Sequence, residues 1–313
     1  MRCRLLLLLL AISAGRLDAG CGATSCPIDL HALNRPGVGT FTLDLSFQYI
    51  DQDEPRILTR RARLGELPSH HQELRTINRA AMLGVTYGVT DRLQLSAVVP
   101  YITRTHDHVM THSGEIEHWD LRGIGDLMLH ARYRFGNNFW AIGGVKLPTG
   151  PSDLTNGQER AEVHVQPGSG STDVIVGFAY EGGIVRSRPV QGELGHSALI
   201  PLFAGVTYRR NATAHHYTVG NEWQMNAGTA YPLRSSVELL LQANARLSGR
   251  DESLDPEDRE LTGGQYLFLS PGIRISAGRA GWYTLIQLPV YQRVNGIQLT
   301  AQRNVISGVQ MRF

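Results

Sequence analysis

The chain has 313 residues, 42% of them hydrophobic and 19% charged, with a formal net charge of +2 and three cysteines. This near-neutral balance gives no electrostatic case for nucleic acid or an acidic partner. A mean hydropathy of −0.17, with no second apolar stretch of about 18 residues after the N-terminus, excludes transmembrane helices but not a membrane β-barrel, whose strands keep one face toward a polar lumen.

The N-terminus reads as an export signal. Arg2 and Arg4 precede an apolar core over Leu5–Gly15, Arg16 closes it, and small residues follow at Ala19, Gly20 and Ala23. That is the three-part pattern of a cleaved secretory signal peptide over residues 1–19. The core is shorter than the roughly 20 residues that span a bilayer, so a membrane anchor is the weaker reading. Leu17-Asp18-Ala19-Gly20-Cys21 also hints at a lipoprotein site, although Asp18 stands where such sites take an aliphatic residue. Removing Arg2, Arg4, Arg16 and Asp18 from 30 basic and 28 acidic residues leaves 27 of each. Cys21 and Cys26 remain, in an oxidising compartment, and are expected to close a small disulfide loop. Residues 20–38 then form a short periplasmic segment.

From residue 39 to 313 the hydrophobic period is two. Phe41, Leu43, Leu45, Phe47 and Tyr49 alternate with Thr42, Asp44, Ser46 and Gln48. The same alternation runs through Leu93–Tyr101, Leu127–Phe135, Val237–Leu247 and, at the chain end, Val305, Val309, Met311 and Phe313 against Asn304, Gln310 and Arg312. One greasy face over about 10 residues matches a tilted strand crossing a bilayer. Less regular strands are read near 74–87, 139–147, 172–181, 198–209, 219–231, 264–276 and 281–293. Arg75 and Arg79 share parity with Leu83 and Val85, which requires a bulge or an interfacial start there. Pro201, Pro271 and Pro289 fall inside strands, where bulges are expected.

The total is 12, an even number, as bacterial single-chain barrels require. The predicted fold is therefore all-β: a transmembrane, antiparallel, up-and-down barrel in the bacterial outer membrane. Short turns are read at Gly88–Arg92, Gly136–Asn138, Pro232–Arg234 and Ala277–Gly281. Long external loops are read at 51–72, 105–122, 148–170, 210–218 and 249–263, with a very short one near Val294–Gly296. Both termini are then periplasmic, and segment 182–197 is an exceptionally long periplasmic connection. A soluble sandwich would have strands of about 5 or 6 residues, roughly half the length seen here.

Inward parity defines a lumen lined by Asp44, Asp126, His130, Arg132, Arg134, Lys146, Glu222, Glu238, Arg246, Arg274 and Arg312, with Tyr266 and Phe268 as aromatic members or core filler. Buried charges must pair or meet water, so this lining fits either a narrow wet pore or a closed, ion-paired structural barrel. His106, His108, His112 and His118 lie within 13 residues, beside Glu115 and Glu117. Such a tract suits a borderline divalent metal, or equally a solvated loop tip. His70-His71 and His215-His216 are also predicted external. No nucleophile-elbow pattern is present, and His130 faces the lumen, the wrong side for a lipase, so no enzyme activity is expected. No other cofactor is expected.

Four segments carry a family resemblance: Gly123-Ile124-Gly125-Asp126-Leu127, Lys146-Leu147-Pro148-Thr149-Gly150, Gln166-Pro167-Gly168-Ser169-Gly170-Ser171-Thr172-Asp173, and Leu288-Pro289-Val290-Tyr291-Gln292-Arg293-Val294-Asn295-Gly296. In this order, at strand ends, they resemble the outer-membrane channel family named for a protein of the phenol meta-cleavage pathway, over Phe41 to Phe313. The resemblance implies an outer-membrane barrel grouped with transporters of organic solutes, and it carries over no catalytic residues. Phe313 resembles the terminal aromatic read by the barrel assembly machinery. No long N-terminal segment able to plug the lumen is seen, unlike the fatty-acid-channel pattern. Passive passage of small organic solutes is the expected function. The alternatives are a metal-binding surface protein and a closed barrel.

Overall fold

The computed structural model describes residue 28 and residues 35–63, 66, 73–109, 114–156, 159–187, 197–253 and 256–313. Twelve antiparallel strands form one closed wall. They are β1 (Phe41–Ile57), β2 (Glu73–Gly88), β3 (Leu93–Val109), β4 (two runs, Ile116–Ile124 and Leu127–Phe135), β5 (Phe139–Leu147), β6 (Asp173–Ser187), β7 (Ser197–Arg210), β8 (Glu222–Arg234), β9 (Val237–Ser248), β10 (Gly264–Ala277), β11 (Ala280–Val294) and β12 (Ile297–Arg312). β12 returns to β1 with Leu43 opposite Met311 and Val309 opposite Leu45, so no sheet edge is left between first and last strands. Closure satisfies backbone groups that hydrocarbon could not solvate. The signal peptide, Cys21, Cys26 and His112 lie outside the described residues.

Burial is inverted relative to a water-soluble fold. Leu45, Phe47, Leu83 and Leu129 are exposed, whereas Thr42, Ser46, Gln242, Asn244 and Asn304 are buried inside the wall. Aromatics on the outer face gather in two belts. Near the turns lie Phe41, Tyr87, Phe135, Phe139, Trp282 and Phe313. At the opposite level lie Tyr101, Trp223 and Tyr291, with Tyr49 and Tyr208. Apolar surface bounded by two aromatic belts is the signature of a bilayer-spanning barrel. The Trp223 and Tyr208 ring centroids lie 4.7 Å apart, with the planes tilted by 43°. Phe41 stacks on Phe313 at 4.8 Å, and the Phe313 N–H donates to the Phe41 carbonyl at 2.9 Å.

Several expected boundaries move. The turn placed at Pro232–Arg234 lies at Ser235–Ser236, because β8 runs on through Arg234. β1 continues through Asp51–Ile57, inside the expected loop. The expected external loop 105–122 is instead a paired hairpin, with Thr105 opposite Asp120 and Val109 opposite Ile116. The long connection read at 182–197 shrinks to residues 188–196, since Ser187 pairs with Ser197. Of the strand prolines, Pro289 adjoins a bulge. Pro271 interrupts only the ladder to β11, and at Pro201 the ladder to β8 has already ended. Arg75 and Arg79 keep outward parity and meet Asp51 and the Tyr49 ring, the interfacial alternative rather than a flip of the strand.

Candidate functional site: a lumen narrowed by an inserted loop

The connection between β5 and β6, residues 148–172, folds into the barrel. Its anchor is a break in β4 at Gly125-Asp126. The Asp126 carboxylate accepts from Gly150 N at 3.1 Å, Ser169 N at 2.9 Å and Ser169 Oγ at 2.7 Å. Lys146 Nζ stands 3.3 Å from Asp126 and 2.5 Å from Asp173, so one ammonium is shared by two buried carboxylates. The backbones touch: a Cβ on Gly168 would lie 2.4 Å from the Gly150 oxygen. Only glycine permits such an approach. Three of the four segments that carried the family resemblance thus meet at one joint, which their separate positions along the chain could not reveal.

The loop has its own small core. Trp119 and Leu121 point inward from β4 and are buried against Ala161 and Val165, with Leu154 packed alongside. Gln166 Nε2 donates to Ala161 O at 2.9 Å and Leu154 O at 3.0 Å, while its Oε1 accepts from Leu154 N at 3.1 Å. Arg104 donates to the His164 and Gln166 carbonyls.

Beneath the loop lies a cavity of about 530 Å³. It runs from His164, Asp251 and Thr262 at the loop end to Asp44, Tyr283 and Gln310 toward the turn end. Met82, Val98, Met128 and Tyr266 supply apolar surface. Asp44 accepts from Tyr283 Oη at 3.1 Å, and Glu222 pairs with Arg246 at 2.5 Å and Arg209 at 3.5 Å. Glu238 pairs with Arg274. Phe268 is buried beside Tyr266 and Val294 as filler and does not line the cavity. His130 faces inward against Gly144, where a Cβ would meet its ring at 2.6 Å. Arg132 donates to Glu181 at 2.6 Å. Arg134 lies 3.7 Å from Asp91. Arg312 keeps inward register opposite Thr42 but sits exposed at the turn-end rim.

Two described residues ahead of β1 also reach the inner face. Ile28 lines the cavity and packs on the cluster of Tyr283, Leu285 and Ile306, and Arg35 pairs with Glu181. These two contacts place Ile28 and Arg35 against the lumenal face of the wall.

Among the described residues of the histidine tract, the His106 and His108 rings lie 5.4 Å apart and His118 stands on the other face. His106 faces inward, buried, with Nδ1 2.8 Å from Thr76 Oγ1, and His108 on the same face meets Glu117 at 3.0 Å. His118 points to the outer face and pairs with Asp107 at 2.5 Å. The antiparallel register, Asp107 opposite His118 and His106 opposite Trp119, forces that divergence. Among the described residues no group of three or more His, Cys, Asp or Glu is placed to hold a metal.

At the loop-end mouth, Asp251 joins two loops to the inserted one. It accepts from Gly220 N at 2.7 Å and from Tyr217 Oη, and it pairs with His164. Burial alone would raise its pKa, but the His164 charge and the hydrogen bonds from His164, Tyr217 and Gly220 outweigh it and hold the carboxyl below its usual value. A depressed carboxylate pKa contributes stability above the unfolded value, and that stability is lost as pH falls through the folded value. Protease resistance of the 148–172 loop is therefore expected to fall on acidification below about pH 4. In Asp251→Asn it should be low and flat across the same range. A wild-type profile that coincides with that of Asp251→Asn at every pH would contradict this knot. Sequence gave no sign of the knot, because its members lie 87 and 34 residues apart.

No protein-family model matches the chain, and no curated protein matches it. Among solved structures, the fold is similar to the COG4313 outer membrane channel from Pseudomonas putida F1, with 13% identity over 92% of this chain and all of that one, at a TM-score of 0.63. The translocator domain of autotransporter NalP from Neisseria meningitidis aligns at 12% identity over 90% and 91%, TM-score 0.47. The toluene transporter TodX of P. putida aligns at 9% over 90% and 92%, TM-score 0.42. The likeness to the first is one of fold: a bacterial outer-membrane β-barrel.

Proposed function

We propose that this chain is an outer-membrane channel that passes small organic solutes by diffusion, with its turns and both termini in the periplasm. The observation that carries the reading is the cavity of about 530 Å³, which runs along the barrel axis and mixes ion-paired polar groups with Met82, Val98, Met128 and Tyr266. An outer wall that faces lipid and an inner wall that faces a cavity are what passive passage requires. The fold likeness to a COG4313 channel and the motif resemblance support it, and the family attribution from those motifs is part of this proposal. Assembly through the terminal Phe313 belongs to the same reading.

Purified protein in a planar bilayer is expected to show small conductance steps. Deleting residues 153–164, the middle of the inserted loop, should enlarge them several-fold while heat-modifiable migration persists. An intact, correctly assembled barrel that gives no steps with or without the loop would leave the closed structural barrel as the answer.

A further inference from the structure

Toward the turn end, the wall of β4, β5 and β6 gathers guanidinium groups around one indole. Arg35 and Arg132 lie 4.8 Å and 5.0 Å from the Trp140 ring centroid, and Arg134 lies 5.9 Å away. Trp140 is completely buried and Arg132 is 3% exposed. Among the described residues, the carboxylates paired with these three cations are Glu181 and Asp91. Glu181 is buried and shared by Arg35 and Arg132. Asp91 is 70% exposed and 3.7 Å from Arg134, a distance and solvation at which it offsets little.

The donors are unbalanced as well. Arg132 uses Nη2 on Glu181, yet its Nε and Nη1 have no partner although buried, and neither has the indole N–H of Trp140. Buried donors are almost always satisfied, and leaving a charged one unmet is costly. Water could serve the indole, but it would leave the positive excess. An anion answers both deficits.

The cluster lies beyond the turn-side end of the cavity: Met128 and Ser96 line the cavity, and the inward residues further along the same strands are His130, opposite Ser96, and then Arg132, opposite Gln94. The partly exposed Arg35 and Arg134 side chains continue from there toward the turn end. We infer that the Arg35–Arg132–Arg134–Trp140 cluster is a binding station for a small organic monocarboxylate. Guanidinium groups pair with carboxylate oxygens through charge-assisted hydrogen bonds, and a single carboxylate offsets the excess charge beside Glu181. Its role in passage rests on the channel reading; its occupancy does not.

The test has two arms on the full chain. Isothermal titration in neutral detergent, with sodium acetate replacing sodium chloride at constant ionic strength, should show saturable binding. Arg132→Gln should weaken it about tenfold or more, the worth of a charge-assisted bond. Arg134→Gln, which leaves the Arg132–Glu181 pair intact and so spares the fold, should weaken it several-fold. No saturable binding to wild type, equal binding in all three proteins, or chloride competing as well as acetate would each overturn the proposal. In the second arm, reversal potentials under a salt gradient should show anion preference in wild type and less of it in both variants. Acetate binding without any conductance would retire the channel and keep the station. Conductance whose ion preference is the same in all three proteins would remove the station.

Discussion

Lys146→Met is expected to cost about 3–5 kcal/mol, the usual penalty for removing one partner from a buried ion pair. The lysine is shared by Asp126 and Asp173, whose side chains are only 8% and 1% exposed, so its loss leaves two carboxylates close together in a buried joint. The damage should be local. The ladder of β5, with Lys146 opposite Met128 and Asp173, is made by backbone groups and survives, while the inserted loop loses its clamp. The expected result is a barrel that still migrates as a folded species, unfolds at lower temperature and conducts in larger, noisier steps. Gly168→Val tests the same joint without touching charge, since its side chain would collide with Gly150. Both variants should expose 148–172 to protease. If both keep wild-type conductance and protection, this joint does not hold the loop.

Leu129→Arg is expected to block assembly, because a charge on the lipid face near the bilayer midplane costs about 2–4 kcal/mol. Its neighbour Met128 lines the cavity on the opposite side of the same strand. Met128→Arg should therefore assemble normally and alter only conductance and ion preference. Arg132→Leu, though also inward, is a poor control, because it strips Glu181 of one of its two arginines. Heat-modifiable band shifts and outer-membrane yield report the comparison. Equal yields for the two arginine variants would mean that the face assignment of β4 is wrong.

Where the strands cross lipid, the sequence was easy to read. β1, β9 and the last residues of β12 alternate cleanly because hydrocarbon outside and a polar interior demand opposite chemistry from successive residues. Beyond the bilayer that demand ceases. Thr105–Val109 and Ile116–Asp120 are as regularly paired as any strand, yet four of their six outward residues, Thr105, Asp107, His118 and Asp120, are polar, so the segment resembles a loop. The histidine tract shows the same limit: a strand sends neighbours to opposite faces, and the register places His106 and His108 on the inner face and His118 on the outer one. Among the lumenal charges, parity identified the inward residues, Asp44, Arg132, Lys146 and Glu222 included. It did not identify Glu181, whose bond to Arg132 spans 49 residues, or Arg35, which lies ahead of the first strand and 146 residues from Glu181.

The sequence by itself determined the class of fold, the even number of strands and, in the cleanly alternating strands, the face each side chain takes. These follow from a period of two acting between nearest neighbours and from the solvent on each side, both written locally along the chain. Tertiary structure alone decided how much of the lumen is filled. The joint at Asp126 and Lys146, the mouth at Asp251 and the unmatched donors around Trp140 are contacts across a closed wall. They depend on strand register, on where β4 breaks and on which connection folds inward rather than outward. No local period encodes those choices, because each is settled by partners that come near only once the barrel has closed.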